Sequence, residues 1–179
     1  MKQILGTLLL VPGLALADCP AQPIDADRTA LLLTDLMTAD SPRSATRAAS
    51  GLWALWLDAP DASAQDLLDA AIASRQRNDL AASEASLDAL IAYCPDYAEG
   101  YNQRAFTRFL RSDFDGALTD IDVTLATHPY HFGALSGKAM TLMHQGRTKL
   151  AQDALRQAVK VHPYLRERGM LIPDADTKL

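Results

Sequence analysis

Apolar residues recur at helical spacing along most of the chain, and the helices they predict come in pairs. The stretch 98–131, AEGYNQRAFTRFLRSDFDGALTDIDVTLATHPYH, holds two such helices separated by a polar turn at Ser112-Asp113. Windows 64–97 and 132–165 repeat the arrangement, with turns at Asn78-Asp79 and Gln145-Gly146. The second helix of each window gathers its apolar residues on one face: Leu87, Leu90 and Ile91; Leu118, Ile121 and Leu125; Leu155, Ala158 and Val159. Pro95, Pro129 and Pro163 close the windows, since proline cannot continue a helix cheaply. The tripeptide His-Pro-Tyr marks two of these ends, at 128–130 and 162–164. Each unit is a helix–turn–helix that cannot bury its apolar face alone, so neighbours must stack.

The flanks extend the pattern. Residues 27–40 and 41–61 predict a further helix pair. Leu33, Leu36 and Met37 load one face, and Leu52, Trp53, Leu55, Trp56 and Leu57 load the other. Ser41 followed by Pro42 is a favourable helix start. The segment 18–63 is therefore expected to carry a degenerate repeat or an N-terminal cap. At 164–173, YLRERGMLIP predicts a short capping helix, with 166–179 as cap and fraying tail.

In phase across the three windows stand Leu67, Tyr101 and Leu135; Ala71, Ala105 and Ala139; Ser83, Ala117 and Ala151; and Leu87, Ile121 and Leu155. Bulky and small residues in this order, with a closing proline, resemble the tetratricopeptide repeat (TPR) family. The resemblance covers 64–165 and implies an all-α fold, a right-handed α-solenoid of stacked antiparallel helix pairs. It also implies that first-helix side chains line a concave groove that takes a protein or peptide segment. Carried over residue by residue, the partner-binding positions are Leu68, Ile72, Asn102, Phe106, Phe109, Ser136, Met140 and Met143. Gln65, Arg75, Glu99, Leu110, Gly133 and His144 fall at further groove positions. The lysines and asparagines with which some relatives clamp a carboxylate are absent, for Leu68, Ile72, Gly133 and Gly137 stand there. An apolar, methionine-bearing groove suits an apolar peptide or an amphipathic helix. Arg104 and Arg108 depart from the family's usual apolar choice, and Lys138 stands at the same frame position as Arg104.

The N-terminus changes the picture of compartment. Lys2, an apolar run from Ile4 to Leu14, and Ala15-Leu16-Ala17 make the pattern of a signal peptide spanning 1–17. The run is shorter than the ~20 residues a membrane span needs. Export, most naturally to the periplasm, is expected. Without those residues one lysine is lost, leaving 16 basic against 22 acidic residues and a net charge of −6. Such a chain has no bulk attraction for nucleic acid. Cys19 and Cys94 are the two cysteines. In an oxidising compartment they are expected to pair, the alternatives being two free thiols or an intermolecular bridge. Closing that loop is worth about 4 kcal/mol in the chain-entropy model.

Candidate chemistry is sparse. His128, His131 and His162 read as turn residues beside proline rather than a metal site. Arg104, Arg108 and Arg111 make a basic stripe, expected to pair with Asp120 and Asp122, with an anionic ligand as the alternative. No nucleophile elbow, HExxH or glycine-rich phosphate loop is present, so no enzyme activity and no cofactor is expected. Two function classes remain. One is an exported interaction module; the other is a carrier or sensor of a small apolar or anionic ligand, using space beside Gly133 and Gly137.

Overall fold

The structure, a computed structural model, describes residues 19–22 and 25–173. The expected leader at 1–17 and the tail beyond 173 lie outside the described residues. Eight α-helices succeed one another there: α1 (Ala26–Met37), α2 (Pro42–Trp56), α3 (Ala62–Gln76), α4 (Leu80–Tyr93), α5 (Ala98–Leu110), α6 (Phe114–Thr127), α7 (Phe132–His144) and α8 (Thr148–Val161). The C-terminal cap is a 3₁₀ turn at Arg166–Met170. Consecutive helices form hairpins, and the last three hairpins stack in order through α4–α5 and α6–α7. The architecture is an all-helical solenoid.

Local chemistry explains the boundaries. Asp61, Asp79 and Asp113 cap α3, α4 and α6, accepting from the Ala64, Ala82 and Gly116 N–H groups at 2.8, 3.1 and 3.0 Å. Each such cap contributes on the order of 1 kcal/mol. The turn within each of the last three hairpins needs one left-handed residue, and Asn78, Ser112 and Gly146 supply it with φ of 61°, 63° and 72°. The next N–H then reaches back across the turn: Asp79 to Ser74 O, Asp113 to Arg108 O and Arg147 to Leu142 O, each at 2.9 Å. At the far ends, Cys94, His128 and His162 adopt φ near −122° to −128° with ψ of 72° to 86°. Proline forces its predecessor out of the helical region, so the helices stop there.

Small residues set the helix spacing. Ala71, Ala105 and Ala139 on the first helices, and Ser83, Ala117 and Ala151 on the second, are all buried. Leu87, Ile121 and Leu155 fill the space between them. The basic stripe is structural. Arg104 donates to both oxygens of buried Asp120 and to Asp88, Arg108 to Glu84 and Asp120, and Arg111 to Glu84. Asp122 pairs instead with Lys138 at 2.7 Å. Arg104–Asp88 and Lys138–Asp122 are the same tie one unit apart, which accounts for two cations where apolar residues are usual.

The N-terminal hairpin departs from simple stacking. An upstream unit of a linear solenoid packs on the hairpin that follows it. Here α1 and α2 instead share one apolar cluster with α7 and α8, built around Leu36, Leu52, Trp56, Phe132, Leu142 and Leu155. The hairpin α3–α4 has its own cluster, containing Leu68, Leu87, Leu90, Cys94 and Tyr97. The cause is the large aromatic face of α2. Trp53 and Trp56 pack against His131 and Phe132 at the start of α7, with ring centroids 3.7–5.5 Å apart. Cys19 and Cys94 form a disulfide that fastens the segment before α1 to the end of α4. Gln22 adds hydrogen bonds to the Leu55 and Asp58 carbonyls.

Candidate functional site: a cavity between α5 and α7

A cavity of about 350 Å³ opens between α5 and α7. Asn102, Gln103, Ala105, Phe106 and Phe109 come from α5, and Gly133, Ser136, Gly137, Met140 and Thr141 from α7. Trp53 of α2, Arg75 of α3, Ile121 of α6 and Glu167 of the 3₁₀ turn complete its wall. The floor is apolar. Phe106 stands at its mouth, 49% exposed.

The cavity brings together five of the eight expected groove residues: Asn102, Phe106, Phe109, Ser136 and Met140. The other three lie elsewhere. Leu68 has no exposed surface and belongs to the α3–α4 core, where Ala59 and Tyr97 join the cluster around it. Ile72 packs against that same core. Met143 packs on the cluster shared by the first and last hairpins. Glu99, a further groove position, is buried as well. The space expected beside Gly133 is taken by the Trp53 indole, since a Cβ there would meet two ring carbons at 2.7 and 2.8 Å. Gly137 does leave room, its nearest neighbour being Ile121 Cδ1 at 3.6 Å.

Behind the wall runs a polar network. His131 Nδ1 accepts from the Ala134 N–H at 3.1 Å, so Nε2 carries the proton it donates to Glu99 Oε2 at 3.0 Å. Trp56 stacks flat on the same imidazole, with centroids 3.7 Å apart. Asn102 and Gln103 donate their amides to Glu99, and the Gln103 carbonyl accepts from Arg75 Nη2 at 2.6 Å. Arg75 also lies over the Phe106 ring, 4.9 Å from its centroid. Burial lowers the Arg75 pKa below the ordinary guanidinium range, and the Glu99 charge opposes that shift. Nearby, Tyr97 donates to the Trp56 carbonyl at 2.7 Å, and burial pushes its phenol well up. Among the described residues no group of His, Cys, Asp or Glu is placed to hold a metal ion.

Arg75 fell at a groove position in the sequence pattern, but its ties were not visible there. Trp53 and Glu167 were missed altogether. The paired tryptophans of α2 were the signal for Trp53, because a face that large requires a partner.

In-register hairpins, small residues at the helix crossings and a closing proline define a tetratricopeptide solenoid. The chain resembles proteins of the TPR family in both sequence and fold. It is 31% identical over 132 residues to a TPR repeat-containing protein of Rhizobium etli, a match spanning 74% of this chain and 65% of that relative's length. No family model matches the chain. Among solved structures it resembles that of MamA protein, with a TM-score of 0.53 and 17% identity over 81% of this chain and 79% of the other. That likeness supports the fold. TPR proteins are generally non-catalytic scaffolds for protein–protein interaction. No described helix is long and apolar enough to cross a membrane.

Proposed function

We propose that the protein is an exported, non-catalytic scaffold that holds a protein or peptide segment against the α5–α7 face. Its repeats occupy the frames 64–97, 98–131 and 132–165. The observation that carries this reading is the open apolar cavity, with Phe106 exposed at its mouth and Met140, Ser136 and Gly137 beneath. An apolar side chain of a partner gains roughly 1.5–3 kcal/mol by burial in such a pocket. A periplasmic location is supported by the leader-like pattern of 1–17 and by the Cys19–Cys94 disulfide, a bond favoured in oxidising compartments. The net charge of −5 argues against nucleic acid as a partner.

Photo-crosslinkers at Ser136 and Met140, introduced in cells, are expected to capture a defined polypeptide. Met140→Asp should weaken that capture by a large factor while the circular dichroism stays native. Capture only from Leu150, which is exposed on α8, would move the binding surface to another face. Mature protein beginning at Asp18 in a periplasmic extract is the expected sign of export; a chain retaining Met1 in the cytoplasm overturns it. A second reading, a carrier of a small apolar or anionic ligand, is favoured by the Arg75 guanidinium in the cavity wall.

A further inference from the structure

We infer that the cavity between α5 and α7 binds a carboxylate carried on an apolar body, with Arg75 as its ion partner. This deepens the groove reading above and rests on it.

The contrast among half-buried arginines points there. Arg104 and Arg108 hold carboxylates directly at 2.7–2.9 Å, and Arg156 lies beside Asp153 at 3.4 Å. Arg75 is comparably sheltered, yet its acceptors are the Gln103 amide oxygen at 2.6 Å and the Thr107 hydroxyl at 3.4 Å. A guanidinium presents a fork of N–H donors suited to a bidentate carboxylate. Two acceptors of this kind leave part of that fork unused.

The nearest acid does not fill the place. Glu99 is buried outside the cavity, and its oxygens are engaged by Asn102, Gln103 and His131. Arg75 reaches it only through the Gln103 amide. Burial already disfavours the Arg75 cation, so an incoming anion restores stabilisation that lost water no longer supplies.

The rest of the wall selects the body of the ligand. Phe106, Ile121 and Met140 offer apolar contact, and the volume of about 350 Å³ lies toward the small end for ligand pockets. Glu167 borders the cavity from the turn after α8, near the start of α7 because the two helices run antiparallel. Arg75 sits farther along, level with Gln103 and Thr107 on α5. A second negative charge at the Glu167 side would be repelled. The class is therefore a monocarboxylate, whether a free acid or the C-terminus of an apolar chain.

Calorimetry on the purified, disulfide-bonded protein tests this with two matched pairs: octanoate against octanamide, and an acetylated peptide ending in Leu-Phe as free acid against its amide. At least one acid is expected to bind about tenfold or more tightly than its amide, as a charge-assisted hydrogen-bonded pair implies. Octanoate alone assigns the site to free acids, and the peptide acid alone to chain ends. Arg75→Gln should erase the acid preference, Arg75→Lys should keep part of it, and Gly137→Leu should block binding by filling the cavity without touching Arg75. Circular dichroism and thermal melts confirm that each variant is folded. Equal binding of acid and amide, no binding of either acid, or a preference that survives Arg75→Gln overturns the inference. The crosslinks from Ser136 and Met140 then still decide the groove reading separately.

Discussion

Replacing Gly133 by alanine probes the docking of the N-terminal hairpin with a single methyl group. The added Cβ would stand 2.7 and 2.8 Å from Trp53 Cη2 and Cζ2, where carbon contacts normally lie at about 3.5–4.0 Å. The indole must retreat by most of an ångström. Away from the cavity it has little freedom to do so, because Trp56, His131 and Phe132 meet it edge-on at centroid distances of 5.3–5.5 Å. Overpacking of this kind costs about 1–3 kcal/mol. Alanine in place of glycine returns at most about 1 kcal/mol of helix propensity, and less so close to a helix start. Gly133→Ala is therefore expected to destabilise by about 1 kcal/mol or more. In a Trp53→Ala background only the milder approach to His131 Cε1 at 3.2 Å remains, and the same change should become nearly neutral. Urea unfolding of the four proteins, followed by circular dichroism, measures the coupling as a double-mutant cycle. The expected coupling is about 1–3 kcal/mol. If the two substitutions add to within ~0.5 kcal/mol, Trp53 does not rest on α7 and the hairpin docks elsewhere.

Ser112 holds the left-handed turn that Gly146 occupies without penalty, so Ser112→Gly should raise the urea midpoint by the equivalent of about 0.5–1 kcal/mol. A lower midpoint would mean that the serine side chain contributes more than its backbone costs. The double variant Cys19→Ser/Cys94→Ser should lose about 2–4 kcal/mol, and unchanged stability would show that the segment before α1 is held by other contacts. Burial holds His128 and His162 below the ordinary imidazole range. The unfolded chain then takes up these protons first, so their effect is neutral above about pH 6.5 and lowers stability as pH falls below it. The urea midpoint should drop between pH 7.5 and 5.5, and drop less in His128→Asn/His162→Asn. An identical drop in both proteins would remove these rings from the account.

Much of the fold was legible because the determinants are local and periodic. Pro95, Pro129 and Pro163 end helices through their own rings, and Ala71, Ala105 and Ala139 admit close approach wherever the helices cross. The asymmetric part was not legible in the same way. Periodicity places Trp53 and Trp56 on one face of α2 but cannot say which hairpin covers that face. Gly133 illustrates the difficulty: a missing side chain reads as open space, whereas here it is the imprint of an indole from a distant helix. The cavity wall was half visible for a related reason. The pattern assigns Leu68 and Met140 to equivalent surfaces, and only the packing of neighbouring segments decides which stays open. Arg75 carried no signal beyond its position, since the absence of a direct carboxylate partner appears only in three dimensions.

The contact between the first and last helices alters how the molecule gains and loses its structure. In a linear solenoid each unit touches only its neighbours, so stability adds along one dimension and unfolding can begin at either end. Here α1 meets α8, and a cross-link ties residue 19 to residue 94, so neither end can peel away alone. Loss of α7–α8 strands the tryptophan face of α2, and loss of α1–α2 uncovers Phe132 and Leu155. Such a closed circuit is expected to unfold in one cooperative transition. Its folding is expected to be slower than that of an open array of equal length, because the long loop must close before the contacts that reward it can form.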